Sequence, residues 1–140
     1  METLQKELEA LGHEVEIPLL DDETTALAGD RKVNFAQHIA DRGGIDAFAP
    51  TDKIWDIKEG AIKHHFKKEE WCDAVLIANY DKNGIEGYVG GNTLIEIAIA
   101  YYLKKPIYIL NPVSSELSYK VEILGMKPTF LNGDLKKISG

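Results

Sequence analysis

Apolar positions along the chain fall into blocks with alternating periods. Leu4, Leu8 and Leu11 recur at helical spacing and predict a helix over 2–11, with Gly12 as its stop. Val15, Ile17 and Leu19 alternate with polar or turn residues and predict a strand at about 14–20, where Pro18 favours an end or an edge. Residues 21–51 are polar and punctuated. Within them, Val33, Phe35, Ala36, Ile39 and Ala40 predict a helix at about 31–41 that ends at Gly43-Gly44. A longer helix starts at Thr51-Asp52, one of which is its cap, and carries Ile54, Ile57, Ala61, Ile62, His65 and Phe66 at three- and four-residue steps. The continuous run Ala74-Val75-Leu76-Ile77-Ala78 suits a parallel strand covered on both faces, and Ile107 to Leu110 is a second run of that kind. A short helix at about 115–125 and a strand at 129–131 follow.

Between the two central strands lies the most unusual segment. From Thr93 to Leu103 every residue but Glu96 is uncharged, and most are apolar. A helix apolar on nearly every side is expected to be buried, and a carboxylate within it must be paired, hydrogen-bonded or protonated. The alternation of helices and strands predicts an α/β fold: a single domain over 1–140 built on an open parallel sheet with helices on both faces, a flavodoxin- or Rossmann-like three-layer arrangement. Ligands in such sheets sit beyond the carboxyl ends of the strands, which places the loops at 79–92 and 111–118 on the functional edge.

Composition narrows the function classes. The chain has 140 residues, 44% hydrophobic and 28% charged, an ordinary globular balance. A net charge of −7 disfavours binding to nucleic acid polymers or anionic membranes. No apolar run reaches membrane-spanning length, and the acidic, amphipathic N-terminus is unlike a signal peptide. Cys72 is the single cysteine, so no intrachain disulfide forms, which fits a cytoplasmic protein. His64 and His65 with Glu69 and Glu70 do not make a metal site on spacing: adjacent helical residues diverge by about 100° and cannot face one ion. No metal and no cofactor is expected. The charged run from Lys58 to Glu70 reads as a solvated helix face.

Gly90 and Gly91 precede Asn92 and Thr93 at the start of the Glu96 helix. Helix N-termini offer unpaired amides and bind anions, and glycines allow close approach to the backbone. Neither the P-loop pattern nor G-x-G-x-x-G is present. Glu96 has two readings. Thr93 followed three residues later by Glu96 fits a capping box. Alternatively, Glu96 is a carboxylate nucleophile or a sugar-hydroxyl acceptor in a partly buried cleft.

The run Cys72 to Ile77, the loop, Gly91 to Ala100, and Lys105-Pro106-Ile107-Tyr108-Ile109 resembles the nucleoside 2-deoxyribosyltransferase-like superfamily over roughly residues 60–135. It is nearest to a microbial branch with Gly-Gly-Asn-Thr and a later Leu-Asn-Gly-Asp, here Leu131 to Asp134. The resemblance implies an enzyme that cleaves or transfers an N-glycosidic bond, with Glu96 as nucleophile on the anomeric carbon of a 2-deoxyribosyl group. Gly90, Gly91, Asn92 and Thr93 would line the sugar or its 5′ substituent. Asn79 and Asp81 would sit near the base or ribose, and Tyr88 can stack a base. The ligand would be a nucleoside or nucleotide, and the assembly a homodimer. His65 stands where the family carries an acidic residue; it can protonate a leaving base or simply pack in the core. Gly90 replaces an aspartate, and no apolar strand precedes the first helix. The sheet is therefore expected either to pair 14–20 directly with 74–80 or to rely on a partner. A non-catalytic nucleotide-binding module on the same fold is the alternative, and a structural oligomer in which Glu96 is only a cap is the third.

Overall fold

The computed structural model describes residues 2–16, 23–28 and 31–138. They divide into two compact units, Pro18–Lys67 and the combination of Met1–Ile17 with Lys68–Gly140.

The second of these holds the parallel sheet. Helix α1 (Glu2–Ala10) ends at the expected place, where Gly12 N–H donates to Glu9 and His13 N–H to Leu8, the paired bonds of a Schellman stop. Residues 13–16 make no strand pairing, and the rest of the strand expected at 14–20 lies outside the described residues. In the Pro18–Lys67 unit, β1 (Glu23–Ala28) and β2 (Arg31–Asn34) form an antiparallel pair, followed by α2 (Phe35–Asp41). The expected helix at 31–41 thus loses its first turn to a strand. Antiparallel pairing with β1 holds Arg31–Asn34 extended, and in this segment that pairing overrides the local helical pattern. Phe35, Phe48 and Trp55 pack with ring centroids 6.2–6.4 Å apart, and the Trp55 indole N–H donates to Ala49 O at 2.8 Å.

Helix α3 (Ile54–Trp71) begins where Asp52 Oδ1 accepts from Ile54 N–H at 2.9 Å, so Asp52 acts as the cap. Its last turn belongs to the sheet unit, where Lys68 pairs with Glu16 at 3.6 Å. The remaining elements are β3 (Val75–Ile77), α4 (Gly91–Tyr102), β4 (Ile107–Ile109), α5 (Lys120–Gly125) and β5 (Thr129–Phe130). The strands form an open parallel sheet in the order β3-β4-β5, with Val75 opposite Ile107 and Ile109 opposite Phe130. Alternate side chains go to two clusters. Ile77, Ile107 and Ile109 pack with Val89, Ile97, Ala100 and Ile123 from the loop, α4 and α5. Tyr108 and Leu110 pack with Leu8 of α1 and with Leu131 and Leu135.

Helix α4 is not buried on every side. Ile97 and Ala100 are enclosed, but Ile95 is 41% exposed and Tyr102 80% exposed. One face meets the sheet cluster, and Ile95, Ala98 and Tyr102 follow one another along the outward face.

The loop after β3 contains a small hairpin. Lys82 and Ile85 bridge, and Asn83 and Gly84 between them both have positive φ, the backbone of a type I′ turn. Gly87 then passes against the loop after β4: at φ +59° a Cβ there would overlap the Pro112 carbonyl and lie 3.1 Å from Asn79 Nδ2. Gly87→Ala is expected to destabilise the fold by roughly 2–5 kcal/mol, combining left-handed strain with overpacking. Chemical denaturation of the variant checks this.

Candidate functional site

Two loops leave the carboxyl ends of β3 and β4, and a buried amide pair ties them together. Asn79 is 2% exposed. Its amide donates to Asn111 O at 2.7 Å and Gly87 O at 3.2 Å, and its oxygen accepts from Asn111 N–H at 2.8 Å. Asn111 Nδ2 returns a bond to Asn79 O at 3.2 Å. Asn79 therefore serves the scaffold. Asp81 does similar work at the exposed surface, accepting from Gly87 N–H at 3.0 Å. Ser114 N–H donates to Glu86 O at 3.3 Å, and the Tyr119 hydroxyl donates to Val89 O, a contact between the loop and the start of α5. Burial, and then the neighbouring Tyr88, push the Tyr119 phenol up, which keeps it a donor.

This interlocked base sets the start of α4. Gly90 is its N-cap in extended conformation and supplies no side-chain cap. The ring of Tyr88 lies against Gly90, where an added Cβ would meet Tyr88 Cε1 at 3.4 Å, while Lys82 Nζ stands 6.0 Å from the ring centroid. A Cβ at Gly91 would meet nothing within 4 Å, so the backbone there is open.

With Gly90 as the cap, Thr93 is the third helical residue and Glu96 the sixth. The capping-box reading fails on register, because it needs Thr93 at the cap position. Glu96 is half-buried and shares a helix face with Asn92 and Thr93, three and four residues before it. The structure thus brings Gly90, Gly91, Asn92, Thr93 and Glu96 onto one helix start, with Tyr88 beside it and Asn79 and Asp81 beneath it as supports. His65 is half-buried on α3, in the stretch of that helix belonging to the Pro18–Lys67 unit.

The residue that sequence reasoning missed is Glu69, in the last turn of α3. It is 6% exposed, and neither carboxyl oxygen has a hydrogen-bond partner. Burial, and then the charge of Glu96, push its carboxyl up to about 8. A signal was present: Glu69 follows Ile62 and Phe66 by seven and three residues and so continues the apolar stripe of α3. Cys72, one turn on, donates its thiol to Glu69 O at 3.1 Å. Burial raises that thiol too, outweighing nearby Lys105, so it is no nucleophile at neutral pH. Among the described residues no His, Cys, Asp and Glu cluster could hold a metal ion, and no helix is long and apolar enough to cross a membrane. No family model, no curated protein and no solved structure matches this chain.

A carboxyl that binds its proton more tightly when folded stabilises the protein fully below its unfolded value of 4.5, and this contribution fades as pH rises through about 8. The loss between those limits is on the order of 5 kcal/mol at about 1.4 kcal/mol per pH unit. Thermal unfolding from pH 5 to 9 is expected to show this decline in the native chain and a flatter profile in Glu69→Gln.

Proposed function

We propose that this protein cleaves or transfers the N-glycosidic bond of a nucleoside or nucleotide, with Glu96 as nucleophile. The observation carrying this reading is Glu96 itself. It is a half-buried carboxylate with no capping role, one turn below an uncapped, glycine-lined helix start at the carboxyl edge of a parallel sheet. Its neighbour Glu69 is pushed toward the protonated form. Two carboxyls whose environments separate their ionisation allow one to remain the anion that attacks.

The chemistry follows from that placement. The Glu96 carboxylate adds to the anomeric carbon, the bond to the base breaks, and its electron pair leaves with the base nitrogen. That nitrogen takes a proton from water. Water, or a second base, then attacks the same carbon and frees Glu96, so configuration is retained overall. The open amides at Gly91 to Thr93 suit the sugar or an anionic 5′ group, and Tyr88 offers an apolar edge for the base. Residues from both sheet clusters support the finer fold reading, a flavodoxin- or Rossmann-like arrangement with helices on both faces. A cytoplasmic homodimer acting on a small-molecule nucleoside or nucleotide is the accompanying proposal.

One observation favours a second reading, a nucleotide-binding module without turnover. Both oxygens of Glu69 are shielded from solvent, so this second carboxyl is not placed to protonate a leaving base.

Incubation with deoxynucleosides and their 5′-monophosphates, followed by chromatography of free base, is expected to show release that Glu96→Ala abolishes. Mass spectrometry of the quenched reaction should find a deoxyribosyl increment on the peptide holding Glu96. Base release no greater than that of Glu96→Ala, together with calorimetric binding of the same compounds, would select the binding module.

A further inference from the structure

The dipeptide Asn-Gly occurs twice in the chain, at Asn83-Gly84 and at Asn132-Gly133. Both asparagines are exposed, and φ is positive throughout: 55° and 73° in the first pair, 49° and 82° in the second. Each pair is the centre of a tight turn. Ile85 N–H donates to Lys82 O at 3.0 Å, and Asp134 N–H donates to Leu131 O at 3.0 Å. The two turns differ at the glycine nitrogen. Gly133 N–H donates to Leu110 O at 2.9 Å, beside the fully buried Leu131. Gly84 N–H has no hydrogen-bond partner among the described residues.

We propose that Asn83 is a site of spontaneous covalent modification, where the side chain closes on the Gly84 nitrogen and becomes aspartate or isoaspartate, and that Asn132 is spared by the bond its glycine makes to Leu110. Glycine permits the step because no Cβ obstructs the approach of its nitrogen to the preceding side chain. The Gly84 nitrogen gives its proton to hydroxide and bonds to Asn83 Cγ. The bond from Cγ to Nδ2 breaks, and Nδ2 takes a proton from water and leaves as ammonia. Water then opens the cyclic imide. Opening at Cγ gives aspartate; opening at the backbone carbonyl gives isoaspartate, whose main chain runs through Cβ and Cγ. Either product adds a carboxylate beside Lys82, whose ammonium stands 6.0 Å from the Tyr88 ring centroid. The lengthened isoaspartyl backbone no longer fits a two-residue turn, so the pairing of Lys82 with Ile85 opens. That turn begins the loop carrying Gly87 and Tyr88 to α4, so the change reaches the candidate site through its support. The chemistry at Asn83 itself is independent of the glycosidic-bond reading.

The test is incubation of the full chain at neutral and mildly alkaline pH, with peptide mass spectrometry at intervals and an isoaspartate-specific methyl-transfer assay on the same samples. The peptide holding Asn83 is expected to gain the amide-to-acid mass increment and an isoaspartyl signal, faster as pH rises. The peptide holding Asn132 is expected to react about tenfold more slowly, because its attacking nitrogen must first break the bond to Leu110 O against a buried neighbour. In denaturant the two rates are expected to converge, since the fold alone distinguishes the two glycine amides. Equal rates in the folded chain, or an Asn83 peptide that keeps its amide while the denatured chain reacts there, overturns the proposal. In the purified isoaspartyl form, hydrogen exchange at the Ile85 amide is expected to quicken; unchanged protection there would overturn the opening of the turn. None of these readouts uses base release, so their failure leaves the glycosidic-bond reading as it stands.

Discussion

The reciprocal pairing of Asn79 with Asn111 is the contact on which the rest of the arrangement depends. Each residue directly follows a parallel strand or its extension, and together they tie the ends of β3 and β4 through backbone and side-chain bonds at 2.7–3.2 Å. Parallel strands have no tight turn joining them, so the loops at their carboxyl ends need another means of fixing position. Here a buried amide supplies it, and with Asn79 also holding Gly87 O, the loop that launches α4 is anchored from below. The register of α4, and with it the height of Glu96 above the sheet, follows from this anchor.

Much of the sheet unit was legible in the sequence because its signals were of one kind. Continuous β-branched and leucine runs at 74–78 and 107–110 admit few alternatives, and the strands appear there. Leu4, Leu8 and Gly12 likewise specify a helix and its end. The pairing of β1 with β2 was hidden because it is decided between two segments rather than within either one alone. The outward face of α4 was unreadable for a related reason: composition reports how apolar a helix is, not how many neighbours it has.

The site was half legible. Glu96 stood out as a charge in apolar surroundings, and the glycines before it marked an open helix start. Its register did not, because Thr93 and Gly90 are both acceptable caps and only the loop geometry chooses between them. Glu69 was obscured by its company. Lys67, Lys68 and Glu70 surround it, and a charged run reads as a solvated face unless each residue is placed on the helical wheel. On that wheel Glu69 belongs with Phe66 and Ile62, not with its sequence neighbours.

Stability alone does not account for a carboxyl in that place. An apolar residue of similar size would remove two unsatisfied oxygens and the repulsion from Glu96, and replacements of buried charged groups by apolar ones are often neutral or stabilising. Residues that work against stability concentrate where a protein binds or reacts, because an activated group requires surroundings that do not satisfy it. Glu69 meets both parts of that description: its oxygens are enclosed without hydrogen-bond partners, and the charge of Glu96 adds to the desolvation that raises it. Desolvation by burial and the charge of Glu96 thus act on one carboxyl in the same direction, and both hold its proton in place.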